Sequence, residues 1–120
     1  MEHTDVIDFD DWSMLVEQEI TLESVAIQLS GLHSRMVGKP YYYFKPDYEH
    51  VGMLVFEDYV SDELFEKFFR LMSLIARRGE AIIGKSTDID DAFGEVVRLA
   101  EEELNIVKAK QAEYLKAIAP

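Results

Sequence analysis

The octapeptide Gly79-Glu80-Ala81-Ile82-Ile83-Gly84-Lys85-Ser86 matches G-x-x-x-x-G-K-[ST] at every specified position. In nucleotide hydrolases that spacing lets backbone N–H groups cradle phosphate oxygens while the lysine reaches the terminal phosphates. The chemistry requires a buried strand before the first glycine, a flexible loop, and a helix N-terminus aimed at the anion. Here residues 64–78 read as a helix, and Ala81-Ile82-Ile83 suits a buried strand better than an anion cradle. Asp88, Asp90 and Asp91 then crowd the next helix start with negative charge. Each residue also has a structural use. Arg77 and Arg78 suit the negative end of a helix, Gly79 its left-handed stop, Gly84 a strand end, and Thr87 with Asp90 a capping box. The match reads as helix and turn grammar, and no cofactor is expected.

Other chemistry-bearing residues are sparse. There is no cysteine, so no thiolate nucleophile, thiolate metal site or disulfide framework exists. Of the three histidines, His3 lies near the terminus and His33 on the apolar face of a helix, a core or boundary position. His50 sits beside Glu49 and near Asp47, without the spacing of a metal site. Asp88-Ile89-Asp90-Asp91 lacks the glycine and the final acid of a calcium loop. Tyr41, Tyr42, Tyr43, Tyr48 and Tyr59 crowd into one short stretch of the chain with Phe44 and Phe56. Strand alternation puts Tyr41 and Tyr43 on one side, as core or as a surface for protein recognition.

The elements that must position these residues follow from periodicity. Phe9, Trp12, Leu15, Val16 and Ile20 suggest a short helix over about 9–19. Thr21 is then the N-cap of a second helix to about Val37, ended by Gly38-Lys39-Pro40. Residues 41–45 and 51–57 read as two strands of a hairpin joined by Pro46-Asp47-Tyr48-Glu49-His50. Ser61 caps a helix to Arg78, residues 81–83 form a short strand, and a last helix begins near Asp88. The order α-α-β-β-α-β-α predicts a single α+β domain over 1–120, a small sheet packed by four helices.

In the last helix, Phe93, Val97, Ala100, Leu104, Val107, Tyr114 and Ile118 recur as a heptad seam, with Gln111 as its polar exception. A helix over 89–118 would be about 45 Å long, against about 35 Å across a compact domain of this size. The seam therefore lies across its own core or overhangs it, and in the second case Leu104, Val107, Gln111, Tyr114 and Ile118 serve self-association.

The chain of 120 residues carries a net charge of −12, and the segment from Met1 to Ser34 holds eight acids and no Lys or Arg. Such a field repels nucleic acid and anionic lipid and attracts basic surfaces. No apolar run reaches the roughly 18 residues of a membrane span, and the acidic N-terminus is unlike a secretory leader, so a cytoplasmic protein is expected. The expected function is non-catalytic: an acidic protein that sequesters a basic protein partner, as immunity proteins, antitoxins and phage-type inhibitors of nucleic-acid-acting proteins do. Its surface would comprise Asp8, Asp10, Asp11, Glu17, Tyr41, Tyr43, Asp47, Tyr48, Glu49, Glu57 and Asp58. The alternative is a dimeric adaptor or secretion-type chaperone. A small nucleotide-binding enzyme using GEAIIGKS ranks third.

Overall fold

The computed structural model describes residues 9–55 and 59–118. They form α1 (Phe9–Arg35), a 3-10 turn (Tyr41–Phe44), α2 (Lys45–Val55), α3 (Asp62–Arg77) and α4 (Thr87–Ile118). At the start and along the buried face of α3 the local signals agree. Ser61 Oγ accepts the Leu64 N–H at 3.0 Å, Asp62 and Glu63 occupy the first turn, and Leu64, Phe68, Leu71 and Ile75 form the buried line. Its end differs from expectation. Gly79 is not left-handed; Arg78 N–H closes the helix on the Leu74 carbonyl at 2.9 Å. Glycine is needed at 79 for a close approach, since a Cβ there would lie 2.9 Å from both the Ile75 carbonyl oxygen and Tyr42 Cβ.

The predicted α+β sheet is overturned: among the described residues there is no strand, and the architecture is helical. The difference begins at residues 41–55, and the end of the expected strand 51–57 lies outside the described residues. Lys45-Pro46-Asp47 starts a helix, because proline is tolerated in a first turn and aspartate there suits the dipole. Tyr48, Val51 and Val55 are all buried, at three- and four-residue spacing along one helical face. Tyr41 and Tyr43, which alternation puts on one side, are 0% and 60% exposed. Residues 81–83 keep only a trace of sheet. Pro40 and Ile82 form an isolated antiparallel bridge, with Gly38 N–H on the Ile83 carbonyl at 2.9 Å and Tyr41 N–H on that of Ala81 at 3.0 Å.

The two N-terminal helices expected around Thr21 are one. Thr21 is buried in mid-helix rather than capping, and no glycine or proline interrupts residues 9–30. A continuous α1 has a continuous partner: Leu15, Leu22, Val25, Ala26, Leu29 and Leu32 are buried along it, mostly against α4. At about 1.5 Å per residue α1 is ~40 Å long and α4 ~48 Å. They run antiparallel. His33 packs on Phe93 near one end (ring centroids 4.8 Å apart), and Trp12 approaches Tyr114 at the other (6.0 Å). Contacts of α3 with α4 run from Arg78–Asp88 through Lys67–Glu95 to Ser61–Glu103. Beyond Glu103, α4 continues beside α1 as a two-helix arm. The molecule measures 60 × 20 × 19 Å. Among the described residues no helix is long and apolar enough to cross a membrane.

Candidate functional site

The densest polar cluster is centred on Asp90, where the start of α4 meets the end of α1. Its carboxylate accepts from the Tyr41 hydroxyl, from Gly84 N–H and Ser86 N–H (both 3.1 Å), and lies 3.4 Å from His33 Nε2. Burial alone raises a carboxyl pKa, but these hydrogen bonds outweigh it and hold Asp90 below its ordinary value. At neutral pH these bonds favour its anionic form. The capping partner is Ser86 rather than the expected Thr87. The arrangement also answers the octapeptide: two N–H groups of Gly84-Lys85-Ser86 that could face a phosphate are already occupied by Asp90. Lys85 points to solvent from the turn closed by its N–H on the Ile82 carbonyl at 3.0 Å.

The residues expected to bind a partner are dispersed. Asp10, Asp11 and Glu17 are exposed on α1, and Asp11 accepts the Tyr114 hydroxyl at 3.2 Å. Asp47 and Glu49 are exposed on α2, near the other end of the α1–α4 pair. Along α4, the levels of Tyr114 and Phe93 are separated by about 30 Å, so these acids form two groups. Tyr43 is exposed, with Lys39 Nζ 5.2 Å from its ring centroid. Tyr41 and Tyr48 are fully buried, and the recognition role expected of them gives way to core packing around Phe93. Asp8, Glu57 and Asp58 lie outside the described residues.

The seam of α4 faces α1. Val107 is buried, Leu104 and Tyr114 are half-buried, and the polar position Gln111 donates to Glu19 Oε1 at 3.0 Å and to the Leu15 carbonyl at 3.4 Å. The self-association stripe of Leu104, Val107, Gln111 and Tyr114 is thus turned toward a partner within the same chain. The Ile118 side chain lies outside the described residues.

A different surface emerges between α2 and α3. Met53, Phe69 and Tyr42, on neighbouring elements, are 67%, 59% and 56% exposed. Met53, Phe68, Phe69, Met72, Tyr48 and Gly52 line a concavity of about 290 Å³. Met72 also belongs to a neighbouring concavity of about 340 Å³ with Tyr42, Ala76 and Gly79. The only charged side chains lining the two, among the described residues, are Glu49 and Glu80. The sequence carried a signal for this surface. Phe65, Phe69, Met72 and Ala76 make a second apolar stripe on α3 at four- and three-residue spacing, beside the core stripe of Leu64, Phe68, Leu71 and Ile75.

Comparison of the chain with protein-family models, with curated proteins and with solved structures finds no match.

Proposed function

We propose that this chain is a non-catalytic binding protein that captures a basic protein partner and sequesters it, as an immunity protein, antitoxin or inhibitor of a nucleic-acid-acting protein does. One observation carries the reading. The outward side of α1 combines exposed Ile20 and Ile27 with exposed Glu17 and Glu23, on a helix that holds five acids against a single arginine. Glu17, Ile20, Glu23 and Ile27 follow one another at three- and four-residue steps, so acids flank an apolar line. Apolar anchors ringed by charge are the anatomy of a non-obligate protein interface, and the surrounding field accelerates encounter with a basic surface.

The test is capture from an extract of the source cells with wild type and with an Ile20→Ser/Ile27→Ser variant as bait. A basic protein retained by the wild type and lost from the variant is expected. Its association rate should also fall when Asp10, Asp11 and Glu17 become amides, an effect that fades at high salt. Equal retention by both baits, or an association rate indifferent to the amides at low salt, would remove the proposal.

A dimeric adaptor is the second reading, supported by Ile106 and Leu115, both exposed on the arm. Light scattering separates the two: a stable dimer that Ile106→Ser/Leu115→Ser dissolves favours the adaptor.

A further inference from the structure

The geometry points to the groove of Met53, Phe69 and Met72 between α2 and α3 as a docking site for an amphipathic helix that carries Lys or Arg beside its apolar face. This inference rests on the reading of the chain as a protein-binding module, but on a different surface from α1. Three observations select the occupant.

The first is length. The two concavities meet at Met72, and their far walls are marked on α3 by Phe69 and Ala76. Seven residues of helix put these about 10 Å apart, two turns. A guest helix with apolar anchors at i and i+7 would fill one concavity with each, and an i+3 or i+4 residue would meet Met72 between them.

The second is the chemistry of the walls. Met53 and Met72 are unbranched and polarizable, and Phe69 stacks on Phe65 with ring centroids 6.5 Å apart and planes 13° from parallel. Methionine with aromatic rings adapts to varied aliphatic and aromatic guests. Gly52 contributes depth, because a Cβ at that position would already touch Phe68 at 3.5 Å.

The third is charge. Glu49 and Glu80 contribute to separate concavities, so basic residues beside the guest's apolar face would meet a carboxylate at each. A second copy of this chain fits less well, because it brings its own net charge of −12 to a groove already lined by acids.

The probe is a synthetic, fluorescein-labelled 14-residue peptide with leucine at i, i+3, i+4 and i+7 and lysine on both flanks. Its binding to the whole protein is followed by fluorescence anisotropy. Controls are a scrambled peptide of identical composition and a version with glutamate in place of lysine. Saturable binding is expected for the first peptide, with at least tenfold weaker binding of each control. Met53→Ser/Phe69→Ser should weaken the first peptide at least tenfold. Both positions are exposed, and a thermal melt verifies that the variant folds. In wild-type protein the amide resonances of Gly52 and Gly79 should shift on titration, which locates the peptide without any variant.

No binding, equal binding of the scramble, or unmoved Gly52 and Gly79 resonances would overturn the inference. Equal binding of the glutamate peptide would overturn its charge component. A protein that is dimeric alone and becomes monomeric in the serine variant would make a second copy the occupant, which also overturns it. The Asp10, Asp11 and Glu17 amides should leave peptide affinity within about twofold at 0.3 M salt, where screening reaches only a few Å. Failure at α1 and failure at the groove are therefore distinguishable.

Discussion

Around Asp90, two buried tyrosines of similar burial have opposite energetics. Tyr41 donates its hydroxyl to a carboxylate, while the Tyr48 hydroxyl is buried and has no hydrogen-bond partner among the described residues. Burial, then the bond to Asp90, pushes the Tyr41 phenol well above its ordinary pKa; burial does the same for Tyr48. Both stay protonated, but only one is satisfied. Tyr41→Phe should cost about 2 kcal/mol, because it removes a hydrogen bond to a charged acceptor. Tyr48→Phe should be neutral or stabilising by up to about 1 kcal/mol, since it removes a desolvated hydroxyl and keeps the ring. Urea denaturation midpoints of the two variants, moving in opposite directions or with Tyr48→Phe unmoved, check the contrast.

Asp90 itself gives a pH dependence with a definite sign. Its folded pKa is lowered, so the folded chain holds this proton more weakly than the unfolded chain does. The stability it contributes is full above the ordinary aspartate pKa and is lost as pH falls through the folded value. Asp90→Asn should cost about 2 kcal/mol at neutral pH, because the amide keeps one accepting oxygen and so leaves one of the Gly84 and Ser86 N–H groups facing a donor. Its stability should also change less steeply than wild type below about pH 4. Parallel acid profiles for the two proteins would show that Asp90 adds nothing to the pH dependence.

At the level of elements, the decisive pairing is α1 with α4. Neither long helix would be marginal in length, yet their distal halves are stabilised chiefly by each other, through Leu15, Trp12, Val107, Gln111 and Tyr114. Truncation after Asn105 should strip the first turns of α1 of their cover and cost about 3 kcal/mol or more from lost burial. Thermal melting should show a large drop in midpoint, with aggregation through exposed Leu15 and Trp12. A truncated chain that melts like the full one would mean that the arm adds nothing to the fold.

For the whole molecule, shape is the testable consequence. The Cα radius of gyration is 17.2 Å. Compact chains of this length scale to about 14 Å. Small-angle scattering at low concentration should return the larger value and an elongated pair-distance distribution. The smaller, compact value would mean that the arm folds back onto the four-helix end in solution. The elongation also separates the acidic groups of α1 and α2. One partner touching both would have to span about 30 Å, close to the width of a small protein domain.

The sequence by itself determined the features that depend on neighbouring residues. Ser61 with Asp62 and Glu63 specified the start of α3, and Phe93 to Tyr114 the stripe of α4. The charge imbalance of the first third was equally plain. Capping and amphipathic spacing are local, and they survive whatever the rest of the chain does. Residues 41–55 were different. A tyrosine-rich run followed by Val51 to Phe56 has β propensity, and the segment from Pro46 to His50 resembles a hairpin loop as readily as a helix start. The tertiary structure decided for helix, because Tyr48, Val51 and Val55 then reach the core together, with Tyr41 brought beside them by the 3-10 turn. Likewise, nothing local distinguishes a break at Thr21 from a continuous α1. The long apolar face of α4 removes the ambiguity by covering both halves. The groove of Met53, Phe69 and Met72 belongs to the same class of fact. It exists only because α2 is a helix set beside α3, with Phe69 left exposed between them.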